Sequence, residues 1–188
     1  PQPAPNASLG IYALRRDPIT DSIWGTGAEG TIWKHDGAAW HVKESGLEYL
    51  LHDIWAHGDT VAAVGELGSL MISTDGMTNA TASTWPSIPD LHGVWGPDAD
   101  TVYAVGEDGT VLRWLEGSWK EAWTLGGQTL YGIDGEGQDS VWVVGAMGGL
   151  YFYNGVDWLQ LDTGGVKTLR TVRALGAGRA LVAGDDGT

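Results

Sequence analysis

Short apolar runs alternate with glycine- and aspartate-rich breaks along the whole chain, and one phrase returns at a nearly constant interval. The phrase is a small aliphatic run, then Gly-x-x-Gly, then a second apolar run. It occurs at Gly27/Gly30, Gly65/Gly68, Gly106/Gly109, Gly145/Gly148 and Gly184/Gly187. Successive first glycines are 38, 41, 39 and 39 residues apart. A period of this size marks a repeat architecture, in which each unit buries its apolar face against its neighbours. Units opened by Leu9, Leu51, Leu91, Leu130 and Leu169 align on the glycine pair; the last four share Leu-x-x-[Ile/Val] and the first four Asp-[Ser/Thr]-[Ile/Val].

Each unit predicts four strands. Strand a reads like LHGVW, strand b like TVYAVG and strand c like TVLRW, and strand d runs through a closing tryptophan (Trp40, Trp119, Trp158). These runs are rich in β-branched and aromatic residues and are bounded by Gly, Asp and Asn, which is the strand signal. No apolar stretch of helical length keeps a 3.6-residue period. Val102, Tyr103, Ala104 and Val105 are apolar at consecutive positions, so both faces of that strand must be covered. Radially stacked four-stranded sheets supply such cover, which predicts an all-β fold, a β-propeller of four-stranded antiparallel blades. Gly-x-x-Gly is expected to be a tight b–c hairpin with positive φ in its linking residues. The recurring Asp21, Asp59, Asp100 and Asp139 read as caps of the a–b turn. The tryptophans are expected between blades, with their indole N–H groups on strand-end carbonyls.

The organisation expected is a Pro/Ala-rich linker or tail over 1–8 and a single propeller over 9–188. Four full blades are followed by the first half of a fifth, from Leu169. Three readings of that half blade stay open: a longer parent protein, copies pairing edge to edge into a larger ring, or an open edge capped by a loop. An unpaired strand edge is otherwise an aggregation hazard.

Composition narrows function more than fold. A net charge of −14 speaks against nucleic acid and anionic membrane surfaces, both of which want basic patches. With no cysteine, disulfides, thiol catalysis and thiolate zinc sites are excluded. No apolar run has the length of a membrane-spanning helix. Glycine at 30 of 188 residues suits a turn-dense chain, and 11 Trp against one Phe suits wide wedges between sheets.

The run DTVYAVGEDGTVLRWLEGSW (100–119) resembles a repeat common in secreted proteins and lipoproteins of myxobacteria and related deltaproteobacteria, in which LYGVWG-like and DVYAVGDGGTILHYDG-like phrases alternate. The resemblance covers residues 9–188. It implies an exported protein, extracellular, periplasmic or on the bacterial cell surface, with a non-catalytic binding or scaffolding role. A weaker likeness, at Ser73-Thr74-Asp75-Gly76, is to Asp-box and photosystem assembly-factor propellers. The Gly-His and closing Trp-Asp marks of WD repeats are missing.

Loops on repeat scaffolds carry function, so the candidate site is the end of the blades where the d–a and b–c loops emerge. The b–c loops hold Glu29, Glu66, Glu107, Asp108, Asp185 and Asp186, and the first positions of strand a hold Gly10, His52, His92, Tyr131 and Arg170. Asp53 and Asp134 could join them. Trp85, in TWPSIPD, stands where a relocated aromatic would offer a rigid platform, whereas Ala80 occupies the place of the closing tryptophan. No catalytic residue, metal site or cofactor is expected. Of the five histidines only His52 and His92 share a repeat position, which does not make a zinc site, and the glycine pairs lack the Lys and helix of a phosphate loop. The function expected is protein–protein interaction, with homo-oligomerisation as one way to complete the ring. A multivalent lectin binding glycans is the alternative. A sialidase-like hydrolase stands third, since it needs an arginine cluster and Arg15, Arg16, Arg113, Arg170, Arg173 and Arg179 occupy unrelated repeat positions.

Overall fold

The structure is a computed structural model and describes residues 10–84 and 89–188. Four antiparallel meanders of four strands and one two-strand sheet follow one another along the chain. Blade 1 comprises β1 (Ile11–Arg16), β2 (Ile23–Gly27), β3 (Thr31–His35) and β4 (Trp40–Glu44). Blade 2 comprises β5 (Leu51–His57), β6 (Thr60–Gly65), β7 (Ser69–Ser73) and β8 (Thr81–Thr84). Blade 3 comprises β9 (Leu91–Trp95), β10 (Val102–Gly106), β11 (Thr110–Leu115) and β12 (Ser118–Thr124). Blade 4 comprises β13 (Leu130–Gly137), β14 (Ser140–Gly145), β15 (Leu150–Tyr153) and β16 (Trp158–Gln160). The fifth sheet holds β17 (Leu169–Gly176) and β18 (Arg179–Gly184).

Two compact units divide the chain, one ending at Leu91 and the other running over His92–Thr188. In the first, Trp24 and Ile32 of blade 1 pack with Leu51, Ile54, Val61, Ala63 and Met71 of blade 2. In the second, Tyr103 and Val105 of blade 3 pack with Leu130, Ile133, Val141, Val143 and Tyr151 of blade 4. Trp142 and Val144, on the other face of blade 4, pack with Leu169 and Val172 of blade 5. Strand b therefore sends alternate residues into two different blade–blade layers, which is why its sequence is apolar at every position. Each such side chain removed from water contributes about 1.5–3 kcal/mol.

The pairing register revises the alignment in blade 1. Ile11 pairs with Gly27 as Leu51 pairs with Gly65, Leu130 with Gly145 and Leu169 with Gly184. Strand a of the first blade thus opens at Ile11, and Leu9 lies outside the described residues.

The glycine pair works differently from the expected two-residue hairpin. The first glycine is extended, with φ −170° at Gly65 and −160° at Gly145. It is needed for space, because a Cβ on Gly65 would stand 2.0 Å from the Leu50 carbonyl oxygen. A single 3₁₀ turn follows, in which Leu67, Asp108, Met147 and Asp186 take φ values of 53–56°. The second glycine combines positive φ with crowding: at Gly148 φ is 74° and a Cβ would lie 2.2 Å from the Gly165 oxygen.

Two further expectations are corrected. Among the described residues, the backbone N–H groups of the a–b corners of blades 1 and 3 donate to Asp17 and Asp98, while the recurring Asp21 accepts from Arg16 Nε instead. Asp98 Oδ1 accepts from the N–H groups of Asp100 (3.0 Å) and Thr101 (2.9 Å). Its Oδ2 accepts from Gln138 Nε2 of the next blade at 2.9 Å. Asp17 accepts from Ile19 N and, in blade 2, from Gly58 N, both at 3.0 Å. These corner carboxylates tie neighbouring blades together, a role that local turn chemistry does not reveal. The buried indole N–H groups of Trp24, Trp119, Trp142 and Trp158 find no acceptor among the described residues. The rings pack against aromatic, cationic and aliphatic neighbours instead, as with Lys34 Nζ 4.8 Å from the Trp24 ring and Trp142 4.5 Å from Phe152.

Candidate functional site

At one end of blades 2, 4 and 5 the b–c turn and the last residue of the d–a connection, just ahead of strand a, are joined by a backbone hydrogen bond. The first N–H of the turn donates to the residue preceding strand a: Glu66 to Leu50 (3.0 Å), Ala146 to Thr129 (2.8 Å) and Asp185 to Thr168 (2.9 Å). Farther back on the connection, Leu125 N donates to Gly109 O at 2.8 Å and Thr163 Oγ1 to Gly148 O at 3.2 Å. The second residue of strand a leaves this fixed platform with its backbone already immobilised.

That position holds His52, His92, Tyr131 and Arg170, as the sequence indicates, and in the second unit it brings three of them together. The His92 and Tyr131 rings lie 5.4 Å apart, and the Arg170 guanidinium carbon lies 4.6 Å from the Tyr131 ring centre. Arg170 then reaches Asp185 of its own b–c turn through Nε (2.9 Å) and Nη2 (3.0 Å). This fork raises the Arg170 pKa and holds the Asp185 carboxyl below its ordinary value. Lys167 contacts Asp186 beside it. In the first unit, Nδ1 of His52 is 3.0 Å from the Leu91 carbonyl oxygen. The corrected register adds Tyr12, exposed, at the equivalent point of blade 1. Counting back from His52 by the 40-residue step that separates His52 from His92 would have found it; alignment on leucines did not.

The acidic candidates sit in the b–c turns of their own blades. Glu66 is half-buried at the first position of its turn, and the Leu67 N–H beside it donates to Asp90 Oδ1 at 2.9 Å. Glu107 is half-buried and Asp108 exposed in the blade 3 turn. Trp85 lies outside the described residues. Asp53 and Asp134 do not join the rim, because both are buried in ties between blades. Arg15 Nη2 stands 3.5 Å from Asp53, whereas Asp134 Oδ2 accepts from Ala174 N at 2.9 Å and meets Arg173 Nη1 at 3.4 Å. In blade 4, where Ala146 and Met147 replace the acids of other turns, a groove of about 360 Å³ runs between Met147 and the Gln160–Gly165 segment.

The stack presents an aromatic face, a guanidinium and ring N–H groups on rigid backbone. The arginines are engaged separately: Arg15 with Asp53, Arg16 with Asp21, Arg113 over Tyr103, Arg170 with Asp185 and Arg173 with Asp134. A sialidase-type arginine cluster is therefore not assembled within either unit. Among the described residues no group of three or more His, Asp or Glu is placed to hold a metal ion.

These blades define a β-propeller, and comparison with solved structures agrees. The chain is similar to U3-55K, with a TM-score of 0.73 at 14% identity over 89% of this chain and 56% of that one. It is similar to the WD40 repeats of RRP9, with a TM-score of 0.73 at 14% identity over 87% and 54%. It also resembles a chain of the mitotic checkpoint complex, with a TM-score of 0.73 at 12% identity over 89% and 55%. The chain spans about half the length of these structures, and shares their fold without the Gly-His and Trp-Asp marks of the repeat. No family model and no curated protein matches it.

Proposed function

We propose that the protein is a non-catalytic propeller that binds a protein partner through the blade ends carrying the b–c turns and the start of strand a. The observation that supports this most is the His92–Tyr131–Arg170 stack. Three consecutive blades place three different residues at one register position, and these residues contact one another on a hydrogen-bonded backbone. A catalytic site needs convergent nucleophile, base and electrophile, whereas this surface offers contact area and polar selectivity. Residence outside a bacterial cell, and kinship with the deltaproteobacterial secreted repeats, belong to the same proposal and rest on the resemblance of 100–119.

The test compares immobilised chain with a His92→Ala/Tyr131→Ala/Arg170→Ala variant, using exoproteome from a deltaproteobacterium as bait-binding pool. The expected result is one or more proteins retained by the original surface and lost from the variant. Identical retention by both removes the proposal. Selective binding on a glycan panel, abolished by the same substitutions, replaces it with the lectin reading.

A further inference from the structure

The c–d turns of blades 1 and 4 are built alike, although one opens on an acid and the other on its amide. Asp36 and Asn154 hold the same register position, since His35 pairs with Trp40 as Tyr153 pairs with Trp158. Asp36 Oδ1 accepts from Ala38 N and Ala39 N, both at 2.9 Å. Asn154 Oδ1 accepts from Val156 N at 2.9 Å and Asp157 N at 2.8 Å. Asp36 N donates to Ala39 O and Asn154 N to Asp157 O, each at 3.2 Å. The glycine that follows has φ 97° at Gly37 and 92° at Gly155.

Blade 4 differs in what surrounds the glycine. In blade 1, Gly37 N donates to His35 Nδ1 at 3.2 Å, and a Cβ on Gly37 would meet nothing within 4 Å. In blade 4, Tyr153 replaces that histidine and brings no ring nitrogen, its hydroxyl donating to Gly155 O at 3.0 Å instead. A carboxylate stands beside the glycine: a Cβ on Gly155 would lie 2.7 Å from Asp139 Oδ1. Asn154 and Asp139 are both exposed, so water reaches the turn. Asn154-Gly155 is also the one Asn-Gly pair of the sequence.

We propose that Asn154 is a self-modification site, deamidated by its own turn with Asp139 as the base. Gly155 N attacks Asn154 Cγ, the new C–N bond closes a small imide ring, and the Cγ–Nδ2 bond breaks. Asp139 accepts the Gly155 N–H proton, which leaves with ammonia. Negative charge develops on Oδ1, where the N–H groups of Val156 and Asp157 already point, as donors do in an oxyanion hole. Water then opens the imide: cleavage at the former side-chain carbonyl gives aspartate at position 154, and cleavage at the main-chain carbonyl gives isoaspartate. The aspartate product fits, because blade 1 builds the same turn on Asp36. There the N–H groups of Ala39 and Ala38 and the His41 ring hold the carboxyl below its ordinary value. The turn lies at the blade end opposite the b–c turns, so the inference is independent of the partner-binding reading.

Site-resolved peptide mapping by mass spectrometry tests it on the full chain held at neutral pH, folded in buffer and unfolded in urea. Asn154 should gain the mass of an amide-to-acid exchange, preceded by the ammonia-loss imide, and faster in the folded chain than in urea. Asn79, whose Nδ2 is held by Asp75 at 2.7 Å and which Ala80 follows, is the internal control and should stay an amide far longer. Asp139→Ala should slow the folded reaction by about tenfold or more, as loss of a positioned base does. A purely structural role for Asp139 predicts the opposite sign, since a loosened turn approaches the unfolded rate from a slower start. Circular dichroism checks that the variant folds, and the comparison of buffer with urea stands without it. An Asn154 that reacts no faster folded than unfolded overturns the proposal, as does a rate indifferent to Asp139→Ala.

Discussion

Arg170 holds the carboxylate of Asp185 with two parallel hydrogen bonds and at the same time lays its guanidinium against Tyr131, joining a turn of blade 5 to a strand of blade 4. A lysine can supply the charge but neither the fork nor the flat face. Arg170→Lys should therefore let the Asp185 carboxyl titrate closer to 3.8, its ordinary value, since its depression comes first from the Arg170 hydrogen bonds. Carboxyl-carbon NMR titration reads the shift. An unchanged midpoint would show that the fork does not persist in solution.

Gly65→Ala should destabilise the fold by about 1–3 kcal/mol, the usual cost of forcing atoms into a packed site. Its φ suits any residue, so the cost is purely steric: the new Cβ meets the Leu50 carbonyl, which also accepts from Glu66 N. Gly165→Ala, where a Cβ meets nothing within 4 Å, is the control and should be close to neutral. Urea denaturation of the two variants separates the cases.

Tyr103 lies fully buried between Trp95 and Trp123, and its hydroxyl has no hydrogen-bond partner among the described residues. Burial raises its pKa. Tyr103→Phe removes a buried, unpaired polar group while keeping the ring, so stability should stay level or rise. Tyr103→Ala should cost about 3–5 kcal/mol through the cavity it opens. Thermal denaturation showing a large loss for Tyr103→Phe would reveal a partner for the hydroxyl.

Asp75 accepts hydrogen bonds from the N–H groups of Thr78 (3.1 Å) and Asn79 (2.9 Å), from Asn79 Nδ2 (2.7 Å) and from Ser73 Oγ (2.9 Å). These lower its pKa from 3.8 to about 2, with the Asn79 bonds foremost. Because the folded value lies below the unfolded one, the loop's stabilisation is complete above pH 3.8 and is lost as pH falls toward 2. Asp75→Asn should abolish that acid-dependent step in the 73–79 amide signals.

The period, the strands and the blade boundaries were legible because each depends on residues close in sequence, and Gly65 or Val105 announces its own environment. His92, Tyr131 and Arg170 could be placed at one register position for the same reason. Their mutual contact could not, since it joins three blades. The wrong start at Leu9 came from matching a leucine where Ile11 holds the equivalent register position opposite Gly27. Asp98 escaped notice because its second oxygen serves Gln138, 40 residues away, and Asp134 looked like a rim residue until Ala174 and Arg173 took up its oxygens. What stays hidden in sequence is partnership across the repeat, where no spacing rule applies.

The carbonyl just ahead of strand a is pinned by the turn beyond strand b, at Leu50, Thr129 and Thr168. A connecting segment arriving at such a fixed point can lengthen, shorten or change composition upstream without altering where the following sheet begins. Selection, or an engineer, can therefore rewrite those segments one at a time, and the repeat behind them absorbs no penalty.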